Sequence, residues 1–205
     1  MRDFDDKFRD SGYKIVAGTD EAGRGPLAGP VVAAAVILNA DVTIDGIDDS
    51  KKLTKLKRDE LFKLICTQAL DIGFTVVSHE RIDEINILKA SLEAMKLSVN
   101  KLEIKPDIIL IDGNKPFSSE IKTETIVGGD AKSESIAAAS IIAKVIRDEI
   151  MCNLDLISPG YNWSQNKGYP TKLHIEAIKN IGLSQFHRKS FTLKYSQKSL
   201  FDTNK

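Results

Sequence analysis

Apolar residues along this chain fall into short continuous runs, and between them lie longer stretches with an apolar residue at every third or fourth position. Runs of roughly four to eight residues bounded by glycine, proline or acidic residues have the length of buried strands. On this basis strands are predicted over residues 15–20, 31–38, 73–78, 108–112 and 123–127. Helices fill the intervals. Leu61, Leu64 and Ile65 recur at helical spacing within 54–70, and Ile85, Leu88, Leu92, Met95 and Val99 form one stripe within 82–102. A third helix over 135–151 sets Ala137, Ala138, Ala139 and Ala143 among Ile136, Ile141 and Ile142 on nearly every face, which predicts deep burial. Its alanines permit close approach to the sheet, fixing the segment that carries Asp130. A compact glycine- and proline-rich turn joins the first two strands and suits antiparallel pairing, whereas the later helical connections suit parallel crossovers. The pattern predicts an α/β fold with one five-stranded mixed sheet flanked by helices, followed by a helical C-terminal region.

Composition narrows the class without naming it. A chain of 205 residues is one domain or one domain with a small appendage. Its 29 basic and 29 acidic residues balance, but from Gly160 onward eight lysines and arginines face two acids, so positive charge gathers where a phosphate backbone could be met. Cys66 and Cys152 lie far apart without disulfide or zinc spacing and are expected to be buried thiols. The acidic N-terminus is no signal peptide, and the most apolar stretch, 136–146, is too short to span a bilayer. A soluble cytoplasmic protein with no membrane contact is expected.

Chemistry concentrates at strand ends. Residues 18–30, Gly-Thr-Asp-Glu-Ala-Gly-Arg-Gly-Pro-Leu-Ala-Gly-Pro, place Asp20 and Glu21 at the close of the first strand, just before a Gly23-Arg24-Gly25 turn. Hard divalent cations take carboxylate oxygens, and a glycine-flanked arginine offers donors and a closely approachable backbone to an anion. Asp112 ends the fourth strand before Gly113, and Asp130 follows a glycine break after the fifth. Taken singly, each is an ordinary turn or cap residue. Successive strand residues point to opposite faces, so Asp20 and Glu21 are expected to share a site only if the backbone leaves β geometry near Glu21, a departure that Gly23 permits. Lys144 and Arg147, three apart on the alanine-rich helix, could reach either phosphate or nearby carboxylates, and surface ion pairing is the reading preferred for both.

Together these segments resemble the ribonuclease HII family, the type 2 ribonucleases H. The resemblance covers residues 18–38, Asp49-Ser50-Lys51-Lys52-Leu53, Asn86-Ile87-Leu88, Ile111-Asp112-Gly113-Asn114 and 129–148. It continues through Lys167-Gly168-Tyr169-Pro170-Thr171-Lys172-Leu173-His174 and ends at His187-Arg188-Lys189-Ser190-Phe191. It implies a ribonuclease H-like catalytic domain over 1–156, and a helical region and tail over 157–205 that contributes to substrate binding. The family's four metal-binding catalytic carboxylates fall on Asp20, Glu21, Asp112 and Asp130. The implied activity is endonucleolytic hydrolysis of the RNA strand of RNA/DNA hybrids, with cutting 5′ of ribonucleotides embedded in duplex DNA. Two Mg²⁺ or Mn²⁺ ions would serve it, leaving 3′-hydroxyl and 5′-phosphate ends. The 2′-hydroxyl must be sensed for that selectivity, and the candidates are Gly23, Arg24, Gly25 and Tyr169. Lys51, Lys172 and Arg188 are candidate phosphate contacts. His174 is read as structural or a minor contact, and His79 and His187 carry no specific signal.

Two alternatives stay open on the residues alone. One is a related two-metal nuclease, ribonuclease HIII or a DNA-junction resolvase; the position of Asp20 is expected to leave no room for the N-terminal domain typical of ribonuclease HIII. The other is a binding module whose glycine turn merely cradles phosphate, against which four acids would repel phosphate unless metal intervenes. A monomer is expected. Finally, Gln197-Lys198-Ser199-Leu200-Phe201 resembles the peptide by which partners of the bacterial sliding clamp dock, with Lys198 where leucine is usual, so Gln197, Leu200 and Phe201 are read as a weak clamp contact.

Overall fold

The computed structural model describes residues 1–191. An N-terminal helix α1 (Arg2–Asp10), which the apolar pattern does not announce, precedes strands β1 (Val16–Ala22) and β2 (Val31–Leu38). Helix α2 (Lys55–Gln68) leads into β3 (Ala69–Val77), and helices α3 (His79–Ile85) and α4 (Ile87–Val99) lead to β4 (Ile108–Asp112) and β5 (Lys122–Ile126). A 3₁₀ turn at Gly129–Ala131 introduces the long helix α5 (Glu134–Ile157), and α6 (Trp163–Asn166) and α7 (Lys172–Ile181) complete the described chain.

The five strands form one sheet in the order β3-β2-β1-β4-β5. As expected, β1 and β2 pair antiparallel, β1 with β4 and β4 with β5 pair parallel, and the sheet is mixed. The helical connection between β2 and β3 is no parallel crossover, however, because the chain returns through α2 to pair antiparallel with β2. Two further expectations need correction. Strand β3 begins at Ala69, inside the span assigned to a helix, because it pairs with the full length of β2 from Leu38↔Ala69 to Val31↔Val77; this pairing outweighs local helical periodicity. The single helix expected over 82–102 is two, broken at Asn86, whose φ of 69° is not helical and whose side chain accepts the Lys89 N–H at 3.1 Å, capping α4.

Alternation along the central strands divides the core. Val31, Ala33 and Ala35 pack against Ala90, Ala94, Met95 and Val99 of α4. Val32, Ala34 and Val36 face Leu61 and Ile65 of α2 and Ala138, Ile141 and Ile142 of α5. Helix α5 lies so close to β1 that a Cβ on Gly18 would sit 2.2 Å from the Ser135 carbonyl carbon, a contact that excludes every residue but glycine. The helix is capped twice: Ser133 accepts the Ile136 N–H at 3.2 Å, and the buried Asp5 of α1 accepts the Ser135 N–H at 2.9 Å. The region after α5 shares a core with the β1–β2 turn, where Trp163, Tyr161 and Ile178 pack on Leu27, Ala28 and Met151.

Candidate active site

The pairing register decides which acids can meet. Asp20 pairs with Ala34 and so points to the α5 face, while Asp112, two residues after Leu110 on β4, shares that face. Glu21 pairs with Ala33 and therefore belongs to the α4 face. The backbone does not leave β geometry at Glu21 as the sequence suggested, since pairing with β2 continues through Ala22. The side chain nonetheless lines the same cleft, and on the side away from β2 no strand flanks residues 21–22, because β4 ends at Asp112. The resulting cleft, about 400 Å³, is lined by Asp20, Glu21, Gly23, Arg24, Gly25, Lys51, Asp112, Arg147 and Tyr169, with Ser50, Ser140 and Lys144 at its walls. Asp130, on the 3₁₀ turn, joins it through Lys51, whose ammonium donates to Asp130 Oδ2 at 2.9 Å.

Crowding of carboxylates in a nearly dry place governs the electrostatics. Burial, followed by the adjacent Glu21 and Asp112 charges, pushes the Asp20 carboxyl well above its usual range. Burial also lifts Glu21 to about 7, although Arg24, whose Nη1 donates to Glu21 Oε1 at 3.3 Å, opposes the shift. Asp112 is raised by burial against the hydrogen bond its Oδ1 accepts from Gly129 N–H at 2.7 Å. Among the described residues no three acids, imidazoles or thiols are already drawn together closely enough to hold an ion. The reason is visible in their partners: Asp112 Oδ1 takes the Gly129 N–H, Asp130 Oδ2 the Lys51 ammonium and Asp20 Oδ1 the Glu21 N–H. The donor set is nonetheless all carboxylate oxygen, and acids pushed up by burial and mutual repulsion are ones that positive charge relieves. Both features fit a hard divalent cation.

The glycine turn is shaped from beneath by two buried arginines. Arg188, 2% exposed, donates Nε to Gly29 O (3.0 Å), Nη1 to Arg24 O (3.1 Å) and Pro26 O (2.8 Å), and Nη2 to Gly23 O (2.6 Å) and Pro30 O (3.1 Å). Arg147, 1% exposed, adds Pro30 O at 3.0 Å, Ala28 O at 3.4 Å and Lys167 O at 3.1 Å. Burial depresses both guanidinium groups, Arg188 to about 9 and Arg147 to about 10. With these carbonyls turned inward, the turn offers the cleft its other side. Gly23, at φ 105°, has no room for a side chain, because a Cβ there would stand 2.1 Å from Arg147 Nε. Tyr169 faces Gly25, with its ring carbon Cε1 3.5 Å from where a Gly25 Cβ would be.

Sequence-predicted residues therefore divide. Asp20, Glu21, Asp112, Gly23, Arg24, Gly25, Lys51 and Tyr169 meet at one cleft, with Asp130 behind Lys51. Lys172, the exposed first residue of α7, is not among its lining. Arg188 corrects its expectation as a phosphate contact, since its five N–H groups are used on backbone carbonyls out of reach of solvent. Arg147 likewise is no surface ion-pair partner, whereas Lys144 does pair, with Asp148 Oδ1 at 2.6 Å. Neither cysteine is buried: Cys66 is exposed and Cys152 half-buried. His174, read as structural or a minor contact, and His187, without signal in the sequence, are both buried behind Tyr169. Gln197, Leu200 and Phe201 lie outside the described residues. Among the described residues no helix is long and apolar enough to cross a membrane.

Comparison with known proteins bears on this arrangement. The family model described as Ribonuclease HII matches residues 17–194. A ribonuclease HII from Acetivibrio thermocellus is 56% identical over 181 residues, spanning 88% of this chain and 71% of that protein. The crystal structure of ribonuclease H2 from Pyrococcus horikoshii OT3 superposes with a TM-score of 0.70 at 30% identity, covering 86% of this chain and 93% of that one. The ribonuclease HII in a complex with PCNA from Archaeoglobus fulgidus gives 0.72 at 26% identity, covering 88% and 96%. A match of this extent settles the kinship: the chain belongs to the ribonuclease HII family, whose members are nucleases.

Proposed function

We propose that this protein hydrolyses the RNA strand of RNA/DNA hybrids and cuts 5′ of ribonucleotides embedded in duplex DNA, leaving 3′-hydroxyl and 5′-phosphate ends. The observation that carries the reading is the meeting, in one cleft, of Asp20, Glu21 and Asp112 with the Gly23-Arg24-Gly25 turn and the Tyr169 ring. Asp20, Glu21, Asp112 and Asp130 would hold two divalent ions, Mg²⁺ or Mn²⁺. Such ions, when bound, activate a water and stabilise the attacking and leaving oxygens of an in-line displacement. The protein's own part is placement. Arg24 supplies positive charge beside Glu21, and the turn's backbone approaches the 2′-hydroxyl because neither flanking glycine carries a Cβ. Tyr169, 42% exposed, offers a ring face to the adjoining sugar and a hydroxyl to its 2′-oxygen. Lys51, which pairs with Asp130 here, would be available to phosphate where a cation occupied Asp130, and Lys172 would approach the strand from α7.

The region 157–205 contributes to substrate binding in this account through Tyr169. The basic C-terminal part suits local guidance to nucleic acid, and the enzyme is read as a cytoplasmic monomer. The Archaeoglobus protein, whose structure is that of a complex with PCNA, lends interest to the tail here: Gln197, Leu200 and Phe201 would make a weak contact with a sliding clamp. A peptide of residues 194–205 titrated against a bacterial clamp, beside a Leu200→Ala, Phe201→Ala control, tests this, and equal binding by the control rejects it.

The activity is tested with matched duplexes carrying none, one or several consecutive ribonucleotides, in Mg²⁺ and in Mn²⁺, with end-group mapping. Cleavage confined to ribonucleotide-containing strands, at the 5′ side, is expected. Equal cleavage of the all-DNA duplex would reject the reading.

A further inference from the structure

Behind Tyr169 lies a buried polar chain that the proposed chemistry does not use. Trp163, His174 and His187 are 0%, 0% and 1% exposed. His187 Nδ1 stands 2.9 Å from both the Ser184 N–H and the Ser184 hydroxyl, so it is an acceptor and the His187 proton sits on Nε2. That proton faces His174 Nε2 at 3.2 Å, and the Trp163 indole N–H donates to the same nitrogen at 3.0 Å. His174 Nε2 therefore carries no proton. The remaining ring nitrogen, Nδ1, lies 2.9 Å from the Tyr169 carbonyl oxygen, which accepts from it. One proton arrangement satisfies the chain, with both imidazoles neutral and His174 in its Nδ1–H tautomer.

The end of this chain is the backbone of Tyr169. Its carbonyl accepts from His174 Nδ1 and from Thr171 N–H at 2.8 Å, while its own N–H donates to Asn166 O at 2.9 Å. The tyrosine backbone is thus fixed on both sides while its side chain stays accessible, with the ring against Gly25. His174 belongs to the first turn of α7, whose N-cap Thr171 accepts the His174 N–H at 3.3 Å, so the histidine reaches back over its own helix start. We propose that His174 is a positioning residue for the reaction, its Nδ1–H holding the Tyr169 carbonyl so that the ring is presented beside the glycine turn. The proposal rests on the reading of Tyr169 as the residue that meets the sugar.

Two side chains dissect the ring. An asparagine amide nitrogen falls where Nδ1 was, and a glutamine amide falls where Nε2 was. Cleavage of a duplex with one embedded ribonucleotide is measured for His174→Asn and His174→Gln, each in the parent and in the Tyr169→Ala background, with thermal unfolding alongside. His174→Gln is expected to lower kcat about tenfold and His174→Asn by no more than about threefold; in the Tyr169→Ala background both effects should shrink below about twofold. Equal losses from His174→Gln in the two backgrounds would overturn the proposal, as would a wild-type rate for a folded His174→Gln protein. Failure of the underlying reading is distinct: Tyr169→Ala would then cleave like the parent. A measurement without variants guards against misfolding. Long-range ¹⁵N imidazole spectra of the intact protein should show His174 protonated at Nδ1, and the Nε2–H tautomer would sink the idea.

Discussion

Replacing Arg188 by lysine tests how the glycine turn is held. The five N–H groups of Arg188 meet the carbonyls of Gly23, Arg24, Pro26, Gly29 and Pro30 at 2.6–3.1 Å. Lysine keeps the charge, so the desolvation cost of burying a cation remains, and an ammonium is more strongly hydrated than a guanidinium. It offers three donors, so at least two of the five bonds are lost. Pro30 O retains Arg147 Nε at 3.0 Å, which leaves at least one buried carbonyl without a partner. Bonds to charged groups contribute about 1.5–3 kcal/mol each, so losing two costs roughly 3–6 kcal/mol, a figure taken to include the carbonyl left without a partner. For a chain of this length, at about 2–4 °C per kcal/mol, that lowers Tm by roughly 6–24 °C. Urea unfolding at fixed temperature gives the free energy, and cleavage is assayed well below the new midpoint. There kcat should fall about 10–100-fold, because a turn displaced by a fraction of an ångström misplaces the sugar. A Tm within about 1 °C of the parent would refute the reasoning.

Three further outcomes follow from the same geometry. Gly18→Ala should cost at least about 3 kcal/mol in urea unfolding, since its Cβ would press 2.2 Å from the α5 backbone and push the helix off β1; a loss under about 1 kcal/mol would deny the close packing. Without metal, Glu21 is held at about 7 against an unfolded value near 4.5, so the stability it contributes is full below about pH 4.5 and is lost as pH rises through 7. In EDTA the parent should accordingly lose stability relative to Glu21→Gln between pH 5 and pH 8, by roughly 1–3 kcal/mol, whereas a pH-independent difference would contradict the assigned burial. Tyr169→Ala should reduce cleavage at a single ribonucleotide more than duplex binding, and Tyr169→Phe should keep binding while losing part of the rate; unchanged rates for both would remove Tyr169 from the site.

What the sequence made legible was what periodicity and local chemistry determine. Strand β2 is eight buried apolar residues, and no other element reads that way, so its bounds could be taken from the sequence. Asp112 closes β4 before Gly113 and Asp20 lies near the end of β1, shortly before Gly23, which placed both at one end of the sheet. The failures share a different cause. Arg188 reaches carbonyls more than 150 positions away in sequence, and nothing beside it distinguishes an arginine that will be buried under a turn from one that will meet phosphate. Arg147 sits between Lys144 and the acids Asp148 and Glu149 on α5 and looked solvent-facing, although the helix turns that side toward the turn. Glu21 was expected to need a break in the strand because sequence shows the alternation of faces but not where the neighbouring strand stops. The extension of β3 back to Ala69 depends on the length of β2, and the split at Asn86 depends on a left-handed cap; Asn86 did carry a signal, as a capping residue ahead of an apolar run.

The most direct test of the central claim, that these acids hold the metal that cuts at a ribonucleotide, is calorimetric titration of Mn²⁺ into the parent and Asp112→Asn proteins, with cleavage of a single-ribonucleotide duplex followed on the same samples. The parent should bind the ion and cleave. A correctly folded Asp112→Asn protein should bind it at least about tenfold more weakly and lose several kcal/mol of transition-state stabilisation, a fall of at least about 10³ in rate. Metal binding and cleavage near parental levels in that variant would contradict the account.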